Sequence, residues 1–151
     1  MHYWLMKSEP DVFGIDDMQA VGEDVWDGVR NYQARNFLRE MKQGDLAFFY
    51  HSSTRPPGIV GLVEVVAEDI VDDTQFDPDS PYHDPRSSPD NPRWRTVRVA
   101  YRETFRHPIT LDALKATFSP DKLLVVRKGN RLSVMPVAAK VAKRLLQMGR
   151  A

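Results

Sequence analysis

Apolar residues along this chain fall into short runs and helical stripes, with turn-forming residues between them. Tyr3-Trp4-Leu5-Met6 is a short aromatic run that stops at Lys7-Ser8-Glu9-Pro10, where the proline disfavours helix in the residue before it. It predicts one buried strand. Ile15 to Val21 predicts a helix of one to two turns, with Asp16 and Asp17 suited to its first turn and Gly22 ending it. Ala34, Phe37, Leu38 and Met41 recur at i, i+3, i+4 and i+7, so a helix from about 31 to 42 has one apolar face. Asn31 suits its N-cap and Gly44 its end. Asp45 to His51 then reads as a buried strand, Ser52 to Gly58 as a turn-rich connection, and Ile59 to Ala67 as a second strand. Two adjacent apolar strands suggest a hairpin.

Residues 72 to 92 hold five of the chain's 11 prolines among many Asp and Ser, which excludes a helix or a central strand. A long surface loop is expected, with Phe76, Tyr82 and His83 as candidate rim or lid residues; a passive excursion is the alternative. Trp94 to Phe105 alternates like a half-exposed strand. Pro108-Ile109-Thr110 introduces a short helix capped by Thr110, with Leu111, Leu114 and Phe118 on its apolar side. Leu123 to Val126 and Leu132 to Met135 are further short apolar runs flanking a Gly129-Asn130 turn. An amphipathic helix runs from Ala138 to about Met148, before Gly149. About six strands and three or four helices, without regular strand-helix alternation, predict an α+β fold: a small, mixed, mostly antiparallel barrel with helices outside it. The 151 residues suit one domain.

Composition narrows the function classes. With no cysteine, a disulfide framework, a thiolate zinc site and a nucleophilic Cys are all excluded. No apolar run is long enough to span a bilayer, and the first residues lack the pattern of a secretory signal. A cytoplasmic protein without membrane contact is expected. Formal net charge is zero, yet residues 1 to 90 hold 18 acidic and 7 basic side chains, against 3 and 14 in the remainder. Such asymmetry can build a basic face for a polyanion, or it can cancel in space if the halves interleave.

The four histidines have no metal-ligand spacing, and neither GxGxxG, a Walker A loop nor GxSxG occurs. No metal, cofactor or catalytic residue is assigned. An enzymatic alternative would use His51 with a nearby carboxylate, Glu9 or Asp45, on a small molecule or in RNA processing. His51 and Ser52 are adjacent in a strand and point to opposite faces, which weakens that pairing. Two basic groups stand out: Arg35, Arg39 and Lys42 along one helix side, and Arg127-Lys128-Gly129-Asn130-Arg131 at a turn. Each is either solvated or in contact with phosphates. The segment Trp26-Asp27-Gly28-Val29-Arg30-Asn31-Tyr32 joins a stacking face to fixed donors and acceptors, the chemistry of a pocket for a planar heterocycle. The competing role for Trp26 is a core anchor whose indole N–H finds a carbonyl.

Several stretches together resemble the EVE domains: Tyr3 to Pro10, Trp26 to Asn36, Phe49-Tyr50-His51-Ser52, Gly58-Ile59-Val60-Gly61 and Arg131 to Pro136. They run in order nearly end to end. The resemblance implies a PUA-like fold over residues 1–151, related to the YTH readers of methylated adenine in RNA. By the same resemblance Lys7 and Ser8 match the end of the first strand and Trp26 matches one wall of an aromatic cage. Trp94, Tyr32 and Tyr50 compete for the other walls. The implied activity is non-catalytic recognition of a modified base in DNA or RNA, 5-methylcytosine and its oxidised forms among the candidates. The expected base pocket is Lys7, Ser8, Trp26, Asn31, Tyr32, Tyr50, His51 and Ser133, with Arg30, Arg35 and Arg131 on phosphates. Oligomeric state stays open, a monomer included.

Overall fold

In the computed structural model, which describes residues 1–151, the chain builds one six-stranded sheet. Its strands are β1 (Tyr3–Ser8), β2 (Glu23–Val25), β3 (Leu46–His51), β4 (Gly58–Val71), β5 (Arg95–Thr110) and β6 (Val134–Val137). They lie in the order β2-β5-β4-β3-β1-β6. Only β1 and β3 pair in parallel; the other neighbours are antiparallel. The ends of the sheet, β2 and β6, do not pair with each other, so the expected barrel is an open sheet. Helices α1 (Pro10–Phe13), α2 (Ile15–Val21), α3 (Tyr32–Glu40), α4 (Leu111–Thr117) and α5 (Ala139–Arg150) complete the α+β fold. None is long and apolar enough to cross a membrane.

The sheet is covered on both faces, which explains why β1 and β3 read as continuous apolar runs. Trp4, Met6, Ala47 and Phe49 point into one core, with residues of α2 and α3; Leu5, Phe48 and Tyr50 point into a second, with residues of α4 and α5. The period-two alternation of a strand does this directly. Asn31 caps α3 by accepting from the Ala34 N–H at 2.9 Å, and Thr110 caps α4 by accepting from the Ala113 N–H at 3.1 Å. Both caps were expected from sequence.

Three boundaries differ from expectation. Leu124–Val126 is a 3-10 turn rather than a strand, with Val125 and Val126 buried in the second core; a short apolar run reports burial, not the backbone that achieves it. The sixth strand is instead β2, two of whose three residues are exposed, and which exists through its pairing with Arg98 to Ala100 of β5. Pro108 to Thr110 finish β5, with Ile109 opposite Ile59, before α4 begins. In addition, α5 passes through Gly149. The ring of Phe105 lies 2.5 Å from where a Cβ would sit there, so that glycine answers a packing contact rather than a helix end.

Candidate functional site

A cavity of about 690 Å³ opens at the C-terminal ends of the two parallel strands. Strand β1 brings Lys7 and Ser8 to it, and the residue after β3 is Ser52; the segment after β2 brings Trp26 to Asn31. Arg131 and Ser133, just before β6, and Tyr82 from the long loop complete the wall. Of the residues expected in a base pocket, the cavity therefore gathers Lys7, Ser8, Trp26, Asn31 and Ser133, with Arg30 and Arg131 beside them. A smaller cavity, about 410 Å³, lies against Met1, Tyr3 and Pro136 at the other end of β1.

Trp26 is held by its backbone. Its N–H donates to Val97 O at 2.9 Å and its carbonyl accepts from the Thr96 hydroxyl, so β5 fixes the position at the sheet edge. The ring meets Phe49 edge-on, with centroids 5.5 Å apart. What distinguishes it from the other two tryptophans is the indole N–H. Trp4 Nε1 donates to Asp45 at 3.0 Å and Trp94 Nε1 to Asp84 at 2.8 Å, whereas Trp26 Nε1 has no protein acceptor and is not sealed from solvent. Trp26 is at the same time one of the buried residues of the first core, 8% exposed, so the core role and a place on the cavity wall coexist in one side chain.

Several other polar groups of the wall keep donors or acceptors free. Lys7 Nζ has neither a carboxylate nor a hydrogen-bond acceptor in the protein; it lies 5.7 Å from the centroid of the Tyr50 ring, and burial pushes its pKa below the usual lysine range. Asn31 spends Oδ1 on the α3 cap, which leaves its Nδ2 donors available. Ser8 donates its hydroxyl to Phe13 O at 2.5 Å and keeps its lone pairs. Asp27 stands on the same wall; partial burial, with Asp72 and Asp24 nearby, pushes its carboxyl above the ordinary range. Val25, Val29 and Phe13 supply apolar surface between these groups. Such a cavity offers donors, acceptors and a flat face together.

Arg30, Arg35, Tyr32, Tyr50 and His51 have other partners. Arg30 donates through Nε to Tyr82 O at 2.8 Å, through Nη1 to Val29 O and Asp72 Oδ2 at 2.8 and 3.0 Å, and through Nη2 to Thr74 Oγ1 at 2.9 Å. Its guanidinium also lies 5.0 Å from the Trp94 centroid and 5.7 Å from that of Tyr82. Arg35 donates to Arg93 O at 3.0 Å and sits 4.8 Å from the centroid of Tyr32, which stacks on Trp94 at 4.9 Å. Tyr50 is buried in the second core, and burial pushes its phenol upward. His51 Nε2 accepts from the Ile15 N–H at 3.1 Å at the start of α2. As for its possible carboxylate partners, Asp45 lies just before β3 and His51 at its far end, and Asp45 accepts from His2 N–H, Trp4 Nε1 and Lys42 N–H. Glu9 accepts instead from Ser53.

Sequence reasoning missed the residues that brace the site. Asp72, 2% exposed, accepts from Gly28 N–H, Thr74 N–H, Thr74 Oγ1 and Arg30. Gln75, fully buried, donates to Asp72 O and Trp94 O and accepts from Ser87, Arg93 N–H and Trp94 N–H. The long loop is thus a bonded strap, and of its three candidate rim residues Tyr82 lines the cavity.

A family model for the EVE domain matches residues 2–148. The chain belongs to the EVE domain family. Thymocyte nuclear protein 1 of Rattus norvegicus is 46% identical to this EVE domain over 154 residues, covering 90% of this chain and 68% of that protein. The crystal structure of the human THYN1 protein in complex with 5-methylcytosine containing DNA superposes with a TM-score of 0.91 at 41% identity, covering 100% of this chain and 99% of that one. The YTH domain of Zygosaccharomyces rouxii MRB1, solved with N6-methyladenosine RNA, superposes at 0.60 with 12% identity over 99% and 87% of the two chains. At that identity the EVE domain and the YTH domain share a fold.

Proposed function

We propose that this EVE domain is a binding module for a modified nucleobase, methylated cytosine in DNA first among the candidates, held in the 690 Å³ cavity without turnover. The observation that carries the reading is Trp26, a lining residue of the cavity whose indole N–H has no protein acceptor, beside Lys7 and Asn31 with donors also left free. Likeness over the full chain to a human protein solved with 5-methylcytosine containing DNA supports the choice of ligand. RNA is the alternative polymer.

In this reading Trp26 stacks on the base, which contributes about 1–3 kcal/mol. Lys7, Asn31 Nδ2 and the Trp26 N–H donate to ring acceptors, while Ser8, Ser133 and Asp27 accept from an exocyclic amine, as carboxylates do from cytosine N4. Val25 and Val29 receive the methyl group, a difference worth about 1–3 kcal/mol in an apolar pocket. Tyr50 lies beneath Lys7, and Arg30, Arg35, Tyr32 and His51 hold the surrounding backbone. Arg131 is the phosphate contact of the set. Taking a base out of a duplex costs a few kcal/mol, so single strands are the preferred form.

The test is equilibrium binding of short single-stranded DNA with one 5-methylcytosine or one cytosine. The methylated strand should bind about 5- to 100-fold more tightly. Lys7→Gln and Trp26→Ala should each lose affinity for both strands, with Trp26→Phe retaining most of it and circular dichroism reporting that the fold survives. Equal affinity for both strands, or wild-type binding by folded Trp26→Ala, defeats the proposal.

A further inference from the structure

We infer that the loop from Arg127 to Arg131 seats the phosphates that flank the bound base, an inference that rests on the base-binding reading of the adjoining cavity. Ion pairs neutralise several of the basic residues elsewhere. Arg95 pairs with Asp69, Arg102 with Glu64 and Arg150 with Glu103. Arg127, Lys128 and Arg131 are exposed and stand outside all six of the protein's ion pairs.

Position makes these three charges more than a solvated turn. A second groove, about 360 Å³, runs along the loop and shares Asn31 and Arg131 with the base cavity; no carboxylate lines it. The loop is braced from within, because Asn130 Nδ2 donates to Leu124 O at 2.6 Å, Asn130 Oδ1 accepts from Leu132 N–H at 2.8 Å, and Asn130 N–H donates to Arg127 O at 3.1 Å. The backbone N–H groups of Lys128, Gly129 and Arg131 donate to no protein group. Fixed amide donors beside unpaired cations form an anion seat. Arg30 and Arg35, by contrast, are committed to the protein's own carbonyls and carboxylate. A strand whose base enters beside Trp26 would leave past Arg131 along this groove.

The probe is single-stranded DNA carrying one 5-methylcytosine, with its unmethylated counterpart, titrated across a range of salt. For the triple variant Arg127→Ala/Lys128→Ala/Arg131→Ala, the slope of log affinity against log salt should fall by about 2, which is about 100-fold weaker binding at 0.1 M salt. The preference for the methylated strand should be unchanged. Lys140→Ala/Lys143→Ala/Arg144→Ala removes equal charge from the exposed side of α5, away from both grooves, and should change the slope by less than half as much. A wild-type slope in the loop variant, or an equal loss in the α5 variant, overturns the inference. Wild-type protein that binds both strands equally while the loop variant still loses slope overturns the base reading and leaves the loop standing. No binding by wild type overturns both.

Discussion

Asp72, outside the cavity, braces two residues that line it, Gly28 and Arg30. Burial opposes its ionisation, but the hydrogen bonds from Thr74, Gly28 and Arg30 prevail and hold its carboxyl below the usual range. Because the folded pKa is depressed, the stabilisation is complete above the unfolded value near 3.9 and is lost as pH falls through the folded value. Asp72→Asn should destabilise the protein by about 3 kcal/mol, since it leaves Arg30 without its counter-charge; urea unfolding at pH 7 measures it, and the variant should lose less stability than wild type between pH 5 and 3. His51 follows the same sign for a different reason. Burial lowers its pKa, against the opposing field of Asp16, and its neutral Nε2 accepts from Ile15. Protonation would remove that acceptor, so wild type should lose stability as pH falls below about 6.5, a slope that thermal melts should show reduced in His51→Ala. The role of Asn31 was legible because a cap and its helix are adjacent in sequence. Asp72 was not, because its partner Arg30 is remote in sequence and an acid beside a proline-rich loop looks solvated.

The strap between β4 and β5 shows how an irregular element is positioned without a pattern of its own. Gly28 adopts φ +83°, and the Tyr82 ring occupies the space a side chain would need, 2.7 Å from a Cβ placed there. Gly28→Ala therefore meets both left-handed strain, about 1–3 kcal/mol, and the ring itself. The expected outcome is a lower melting temperature, together with faster amide exchange in residues 72–92 by hydrogen-exchange mass spectrometry. Protection equal to wild type in that segment would count against the contact. Strands β1 and β3 and helices α3 and α5 were readable because burial on one or two faces imposes a period on the sequence. The strap, β2 and the 3-10 turn at Leu124–Val126 were not readable, because side-chain bonds from Gln75 and pairing to β5 define them, and neither leaves a periodic trace.

At the scale of the molecule, two of the six ion pairs join the acidic part of the chain to the basic part, both between β4 and β5, where Glu64 meets Arg102 and Asp69 meets Arg95. Such exposed pairs contribute about 0–1 kcal/mol each, so raising salt from 0.1 to 0.5 M should move the thermal midpoint little while strongly weakening the nucleic-acid binding proposed above. A large fall in melting temperature over that range would contradict this assignment of the charges. The sheet order has a temporal meaning as well. Strand β1 lies between β3 and β6, with Tyr3 opposite Val137, and the cavity draws on Lys7 from the first strand and Ser133 from just before the last. During synthesis the opening strand must wait for nearly the whole chain before both its edges are paired. Folding dominated by such distant pairings is expected to take milliseconds to seconds. The proposed pocket is consequently incomplete until Ser133 has been made, so a nascent chain that has already folded its central hairpin still lacks part of the wall that this reading assigns to a base.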